Sequence, residues 1–507
     1  MRKRQIITTF SALDLPHFDT ELSGIVKELR IGTSKSFGAE KSMFDHYHRE
    51  LIPSSDSSWR EIIEFTLHIP GISWLLAFSV KLQLKKRNKR NLFPFWHPPT
   101  QLDADTIRTV WTLIGISFLN SYYATLLGQL LTFTAKEFHS STASQGVVLG
   151  VSRLDIIPAL ILLSLADRVG RRKIILISTS LGAVFSALGA LSPNIYFLAA
   201  DQIITKAFAT AAILLIAIVS SEKVPSTARS WSLAALVIGS ALGAGAAALL
   251  LPLAGISLGS WRILYAISIL ALMVIKPFSK HLRESRRFEV LSKESDQKPI
   301  VGHSNKNRNA LILLSLSTFL LNLFFIPASQ FRNQFLSHDR GFSATSISAF
   351  TILTAAPGAI GLAVGGRMSE TRGRKLVSAA ALVVGTGGLM LGFLSHGASI
   401  WIWALIGSIV APATLPALGV YLTELFPTKY RGTANGIIGL WARLGSIVGV
   451  VTVGYLGSTL YNNVGTPLAM MGAGPLLLAI IVLWKFPETK GLDLETINPE
   501  DSAYHDP

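Results

Sequence analysis

Four ionisable residues interrupt long apolar stretches of the sequence: Arg153, Asp155, Lys206 and Arg443. Ionisable side chains are costly inside a bilayer, so those that occur there are usually functional. A guanidinium can hold a carboxylate through two hydrogen bonds, and a carboxylate can take up and release a proton. Three cations against one carboxylate therefore predict a site that favours organic anions, with Arg443 and Lys206 as binding residues and Asp155 as the candidate for proton coupling.

The elements that must position these residues are twelve apolar segments from residue 107 onward. Each is long enough to cross a hydrocarbon layer of about 30 Å. They cover residues 107–133, 144–166, 174–192, 196–219, 230–253, 261–278, 309–331, 343–367, 376–394, 399–423, 433–456 and 466–484. The sequence therefore predicts an all-α membrane protein with twelve transmembrane helices.

Depth arithmetic places the four ionisable residues well inside the bilayer. At about 1.5 Å per residue, Arg443 lies roughly 15 Å into its segment and Asp155 roughly 18 Å from the end of its own. Arg153 lies about 3 Å further in, and Lys206 about 24 Å from the end of its segment. Three interpretations stay open: Arg443 binds an anionic substrate, Arg443 forms a structural ion pair with Asp155, or Asp155 holds Arg443 until a proton releases it.

Composition excludes several other classes of protein. Half of the 507 residues are hydrophobic and 15% are charged, whereas soluble proteins carry about 25% charged residues. The chain has no cysteine, which excludes disulfides and thiolate chemistry. No spacing of residues resembles a zinc site, an ATP-binding loop or a nucleophile paired with a base. We expect no enzyme activity, no cofactor and no metal.

The net charge of +16 fits a membrane protein without a nucleic-acid partner. Basic residues collect in the loops predicted to be cytoplasmic, as the positive-inside rule requires. The outside connections hold only Lys136, Arg262, Arg332 and Arg340. We therefore expect a multi-pass protein of the plasma or cytoplasmic membrane with both termini in the cytoplasm.

An internal repeat relates the two halves of the membrane region. Local patterns in the first half recur roughly 200 residues later with the same spacing. The residues involved are Asp167, Gly170, Arg171, Glu222 and Arg229 in the first copy and Glu370, Gly373, Arg374, Glu424 and Arg431 in the second. Two six-helix halves with pseudo-symmetry are the build of transporters that rock around a midplane site.

Residues 107–495 resemble the major facilitator superfamily. In that family a signature motif connects the second and third helices. Its first copy here is Leu163–Arg172, which lacks the first Gly of the motif. Its second copy is Gly366–Lys375, in which Glu370 replaces the Asp of the motif. The ends of the fourth and tenth helices resemble the corresponding helix ends in the sugar-porter and organic-ion branches of that family. The resemblance implies that the ten repeated residues listed above are gating residues, which latch the cytoplasmic side closed. Simple helix capping is the alternative.

The sequence from Trp441 to Ser446 resembles the eleventh helix of organic-anion transporters, in which the equivalent Arg is tied to anionic substrates. Neutral ligand contacts are predicted on the helices that line the cavity in this family. Asn120 and Asn322 are related by the repeat and fall near the midplane, and Gln330 is a looser candidate. The seventh segment lacks the paired Gln residues of sugar porters, which argues against a hexose.

The predicted domains are a cytoplasmic extension (1–106), a first half (107–278), a cytoplasmic linker (279–308), a second half (309–485) and a cytoplasmic tail (486–507). In the extension, Ile69 to Leu84 predicts a helix on the membrane surface. A partly disordered tail with one apolar helix is the alternative.

These features predict a secondary active or facilitative transporter that moves a small organic anion by alternating access, with optional coupling to a proton. A transporter of a neutral polyol, a sugar or a cationic drug is the first alternative. A membrane sensor that does not transport, with residues 1–106 as its signalling module, is the second. The expected partners are the lipid bilayer and the small solute, and the expected oligomeric state is a monomer.

Overall fold

The computed structural model describes residues 4–22, 26, 28–31, 35–39, 44–55, 58–67, 73–85, 102–225, 228–282, 305–426 and 428–490. Within them, twelve helices are long and apolar enough to span a membrane, as predicted. They are α1 (Ala104–Glu137), α2 (Thr142–Ala166), α3 (Arg171–Leu191), α4 (Ile195–Lys223), α5 (Trp231–Ala254), α6 (Trp261–His281), α7 (Arg308–Gln330), α8 (Ala344–Arg372), α9 (Arg374–Leu394), α10 (Ser399–Gly419), α11 (Ala434–Thr459) and α12 (Gly465–Lys485). Most of the predicted linker and tail, at 283–304 and 491–507, lies outside the described residues.

Prolines break three of these helices near the middle of the bundle. In α2, a 3₁₀ turn over Ser152–Asp155 separates two α-helical parts, because Pro158 has no N–H to donate to the carbonyl of the fourth residue before it. Helix α8 is interrupted at Pro357, and α10 contains a 3₁₀ turn around Pro412. A short 3₁₀ stretch in the middle of a helix often marks a hinge or local strain.

The described membrane region is all-α as predicted, whereas the N-terminal extension contains a sheet that the sequence did not predict. Five antiparallel strands, β1 (Arg4–Ser11), β2 (Glu28–Arg30), β3 (Ser36–Ala39), β4 (Phe44–Ser55) and β5 (Ser58–Leu67), pair in the order β1-β5-β4-β3-β2. A helix over Ser73–Lys85 follows. Its Val80 and Leu84 are buried in a cluster with the sheet, whereas Phe78 and Leu82 are exposed. Its placement on a membrane surface stays a prediction.

A buried network of charges holds the sheet domain together. Arg49 donates to both carboxylate oxygens of Glu28, at 2.8 and 2.6 Å, and to Glu61 at 3.3 Å. Tyr47 donates to Glu28 at 2.6 Å, and burial together with the charge of Glu28 raises the pKa of Tyr47. Because buried charges are costly unless they are paired, this network requires all of its members.

The sheet domain packs against the start of α1. Its apolar cluster includes Ile107 and Val110 of α1, together with Val224 and Ala228 at the connection between α4 and α5. We call this end of the bundle the sheet side and the opposite end the far side. Helices α1, α3, α5, α7, α9 and α11 run from the sheet side to the far side, and the others return.

The two six-helix halves meet on the far side. A Cβ at Gly146 of α2 would lie 2.8 Å from the carbonyl oxygen of Val450 in α11, so the missing side chain allows the two backbones to approach closely. At the far end of α1, Lys136 donates to Ser337 at 2.9 Å, and the Gln129 carbonyl accepts from Asn333 at 2.8 Å. These contacts seal the far side between the halves.

Candidate functional site

An ion pair joins the two halves near the middle of the bundle. Nη1 of Arg443 in α11 donates to Oδ1 of Asp155 in α2 at 3.0 Å. The other oxygen of Asp155 accepts from the Thr210 hydroxyl of α4 at 2.8 Å. The Asp155 side chain is 4% exposed and that of Arg443 is 29% exposed. The pair that the sequence analysis weighed between these two residues is therefore present.

Two further cations surround this pair. Lys206 of α4 is buried and donates to the Ser152 hydroxyl at 3.0 Å. Arg153 lies next to Ser152 in the 3₁₀ turn, and its charge acts on both Arg443 and Asp155. Its Nε and Nη2 are buried and have no hydrogen-bond partner in the part of the chain that the structure describes. The structure thus brings together all four of the intramembrane ionisable residues singled out from the sequence, with more positive than negative charge.

The neutral residues predicted to contact a ligand do not share one location. Asn120 is fully buried, and its amide donates to the Thr179 hydroxyl of α3 at 2.9 Å, so it faces that helix rather than a cavity. Asn322 lines a cavity in the second half. Gln330 lies against Gly128 of α1, across the interface between the halves. Ligand contact by these residues stays a prediction.

The repeated motifs build the same arrangement twice on the sheet side. Gly170 and Gly373 have positive φ angles of 111° and 104°, which glycine adopts without strain, and each joins two helices through a tight turn. The arginine after each glycine forms an ion pair inside its own half, Arg171 with Glu222 and Arg374 with Glu424. The repeat inferred from sequence spacing is thus matched by equivalent side-chain pairs.

Fewer contacts are described for the other candidate gating residues. Glu370 is exposed, and the buried Nε of Arg229 has no hydrogen-bond partner among the described residues. The side chains of Asp167 and Arg431 lie outside the described residues. A latch that closes the sheet side stays a prediction for all ten residues, because the seal between the halves lies on the far side here.

A cavity of about 750 Å³ lies in the second half, between α7 on one side and α8 and α10 on the other. Its wall is mostly apolar, with Asn322 among a few polar residues and Arg332 as its charged residue. The sequence alone predicts only an outside connection for Arg332. No sequence pattern marks Asp201, a carboxylate of α4 that is 7% exposed and accepts from Gln202 at 3.1 Å.

Comparison with known protein families identifies the family of this chain. A family model described as Major Facilitator Superfamily matches residues 113–335 and 310–501. The chain belongs to the Major Facilitator Superfamily. This superfamily consists of transporters and not of enzymes, and the chain is therefore a multi-pass membrane transporter that moves small solutes by alternating access.

Solved structures of Major Facilitator Superfamily transporters share the fold. A bacterial homologue of the human lysosomal transporter Spinster, inward-facing and occupied, is similar with a TM-score of 0.61 and 16% identity over 74% of this chain and 94% of that chain. The xylose transporter XylE of E. coli, in an inward-open conformation, has a TM-score of 0.59 and 17% identity over 77% and 98%. The nucleoside transporter NupG has a TM-score of 0.59 and 13% identity over 75% and 100%. A comparison with curated protein sequences gives no match.

Proposed function

We propose that this transporter carries a small organic anion and that the anion binds at the cluster of Arg153, Lys206 and Arg443. The observation that carries the proposal is the charge balance at the interface between the halves. Asp155 is the acidic residue that acts on all three cations. Two buried nitrogen atoms of Arg153 have no hydrogen-bond partner among the described residues, and unpaired donors of this kind are costly unless a ligand accepts from them.

The geometry suits an anion better than a sugar or a cation. At an effective dielectric constant of about 20, two unit charges about 4 Å apart interact by roughly 4 kcal/mol. An anion near three cations gains from each of them, whereas a cationic solute is repelled. Arg443 donates one hydrogen bond to Asp155 and is 29% exposed, so its remaining N–H groups can reach a carboxylate.

We further propose that a proton on Asp155 releases Arg443. In the ion pair, Oδ1 of Asp155 accepts from Arg443. A proton on this carboxylate removes its negative charge and weakens the bond to the guanidinium. Arg443 is then free to hold the substrate, which couples proton and anion movement. If an Asp155→Asn variant transports with the pH dependence of the wild type, this coupling is wrong.

We assign the sheet side to the cytoplasm of a cell that carries this protein in its plasma membrane. The basic loops that contain Arg171 and Arg374 lie on that side, as the positive-inside rule requires. With the seal on the far side, the conformation is then inward-facing. The chain has no cysteine, so single cysteines at exposed Thr371 and His396 can be labelled with an impermeant maleimide. Labelling of Thr371→Cys from outside intact cells would reverse the assignment.

The experiment that tests the anion proposal is ligand-induced thermal stabilisation of purified protein. Ligands that bind only the folded state raise its apparent stability. Small hydrophilic carboxylates without an apolar body, sugars and organic cations are compared on the wild type, on Arg443→Gln and on Arg372→Gln, a control that removes an exposed arginine. We expect the hydrophilic carboxylates to stabilise the wild type and the control but not Arg443→Gln. Equal stabilisation of all three proteins by sugars or cations would mean that Arg443 is structural.

A further inference from the structure

The cavity of the second half breaks the pseudo-symmetry of the transporter. In the first half, α1 packs directly against α4. The equivalent helices of the second half, α7 and α10, stand on opposite walls of the cavity of about 750 Å³. Pro412, at the break in α10, lines the cavity, and Pro357, at the break in α8, directly precedes the lining residue Gly358. Cavities of about 300–1,000 Å³ accommodate drug-sized ligands.

The body of this cavity is apolar and aromatic. Phe325 of α7, Phe350 of α8 and Phe393 of α9 line it, and Leu362 and Leu415 extend it toward the sheet side. Such a wall gains free energy by covering an apolar group, at about 25 cal/mol per Å² buried. The wall alone does not discriminate between neutral and charged ligands, because it offers few polar groups.

Arg332 supplies a positive charge that can distinguish anionic from neutral ligands. It follows the far-side end of α7 and lines the cavity. Within the described chain, its buried Nε has no hydrogen-bond partner, its guanidinium forms no ion pair, and no acidic residue acts on its charge. Asp339, the nearest acid along the chain, accepts instead from the backbone N–H groups of Val464 and Gly465. Arginine stays protonated in proteins, so the cavity ends at an uncompensated positive charge.

We propose that this cavity binds an amphipathic organic carboxylate, with its carboxylate on Arg332 and its apolar body along the aromatic wall. The fork of N–H groups in arginine matches a carboxylate. None of the described residues that line the cavity belongs to α2, α4 or α11, so this site is separate from the Arg443 cluster. The inference holds whether or not Arg443 binds the transported anion.

The test uses three soluble probes that share one apolar body: phenylbutyrate, phenylbutanol and phenylbutylamine. Their binding to full-length purified protein is measured by equilibrium dialysis. We expect phenylbutyrate to bind at least tenfold more tightly than the alcohol or the amine. Arg332→Gln should remove this preference, and Arg332→Lys should keep part of it. Arg443→Gln and Arg372→Gln should leave it unchanged.

A variant that fills the cavity checks the location independently. Ser408 of α10 lines the cavity, and Ser408→Trp should weaken phenylbutyrate and phenylbutanol alike. Size-exclusion profiles and melting curves confirm that each variant is folded. The inference is overturned if phenylbutanol binds as tightly as phenylbutyrate, if Arg332→Gln binds like the wild type, or if Arg443→Gln alone abolishes binding. The last result would assign the carboxylate to the cluster at the interface.

Discussion

The ion pair between Asp155 and Arg443 should respond unequally to the loss of either partner. Asp155→Asn leaves Arg443, Arg153 and Lys206 as three cations around a neutral amide. Arg443→Gln leaves the Asp155 carboxylate with its hydrogen bond from Thr210 at 2.8 Å and with two cations nearby. The carboxylate is thus compensated in one variant, whereas the cations are uncompensated in the other. We expect Asp155→Asn to be the more destabilising change.

The magnitude follows from the burial of the pair. Removal of one partner from a buried ion pair costs about 3–5 kcal/mol. This range applies to Asp155→Asn, because the cations that lose their carboxylate include the buried Lys206. For Arg443→Gln we expect about 1.5–3 kcal/mol, the cost of a hydrogen bond to a charged group, because other cations still neutralise Asp155. A difference of about 2 kcal/mol corresponds to several degrees in melting temperature.

Melting of the purified protein, followed by tryptophan fluorescence, measures this order. The set consists of wild type, Asp155→Asn, Arg443→Gln, the double variant and the exposed control Arg372→Gln. The double variant should melt above Asp155→Asn, because removal of Arg443 relieves repulsion among the remaining cations. The reasoning is refuted if Arg443→Gln melts at or below Asp155→Asn, or if the second substitution lowers the melting temperature further.

Two further predictions concern the sheet side of the molecule. Burial alone would raise the pKa of Glu488, but backbone N–H groups, among them that of Arg374 at 3.0 Å, lower it. The carboxylate therefore stabilises the fold above its unfolded pKa of about 4.3, and this contribution is lost as the pH falls through the lower folded value. The gap in melting temperature between wild type and Glu488→Gln should be present at neutral pH and shrink below about pH 4; a gap that widens in acid would contradict this. In the sheet domain, Arg49→Met removes the guanidinium that Glu28 and Glu61 share. It should cost about 3–5 kcal/mol and expose the domain to limited proteolysis, whereas Arg30→Gln, at a 38% exposed side chain, should not; equal resistance of both variants would show that the network contributes little.

The membrane helices were predictable because a bilayer imposes a length of apolar sequence that no other environment requires. The same constraint made the depth arithmetic work. A helix rises by a constant amount per residue, so Asp155 in α2 and Arg443 in α11 had to lie at similar depth. Their contact at 3.0 Å follows once the two helices pack together. Which residues face the cavity was not predictable, because rotation of a helix such as α1 is set by its neighbours, and Asn120 turned toward α3.

The sheet was missed because its interior carries charge. Strands normally show alternating apolar and polar residues when one face is buried. In β4 the inward positions hold Tyr47, Arg49 and Leu51, and in β5 they begin with the fully buried Glu61. A buried Arg and a buried Glu stand at positions where the alternating pattern requires apolar residues, so the sequence does not show the alternation. Only the pairing of these charges in three dimensions reveals that both face inward.

The arginines after α7 illustrate how a departure from a sequence rule can point to a site. Arg332 and Arg340 were exceptions to the positive-inside rule, which concerns charges in the loops that flank membrane helices. Neither behaves as a loop charge. Arg340 donates to the carbonyl oxygens of Ser395 and Phe393, at 2.9 and 3.2 Å, and holds the end of α9. Arg332 lines the cavity. A basic residue that the topology does not need has another reason to be there, and for Arg332 the available partner is an anion in the cavity.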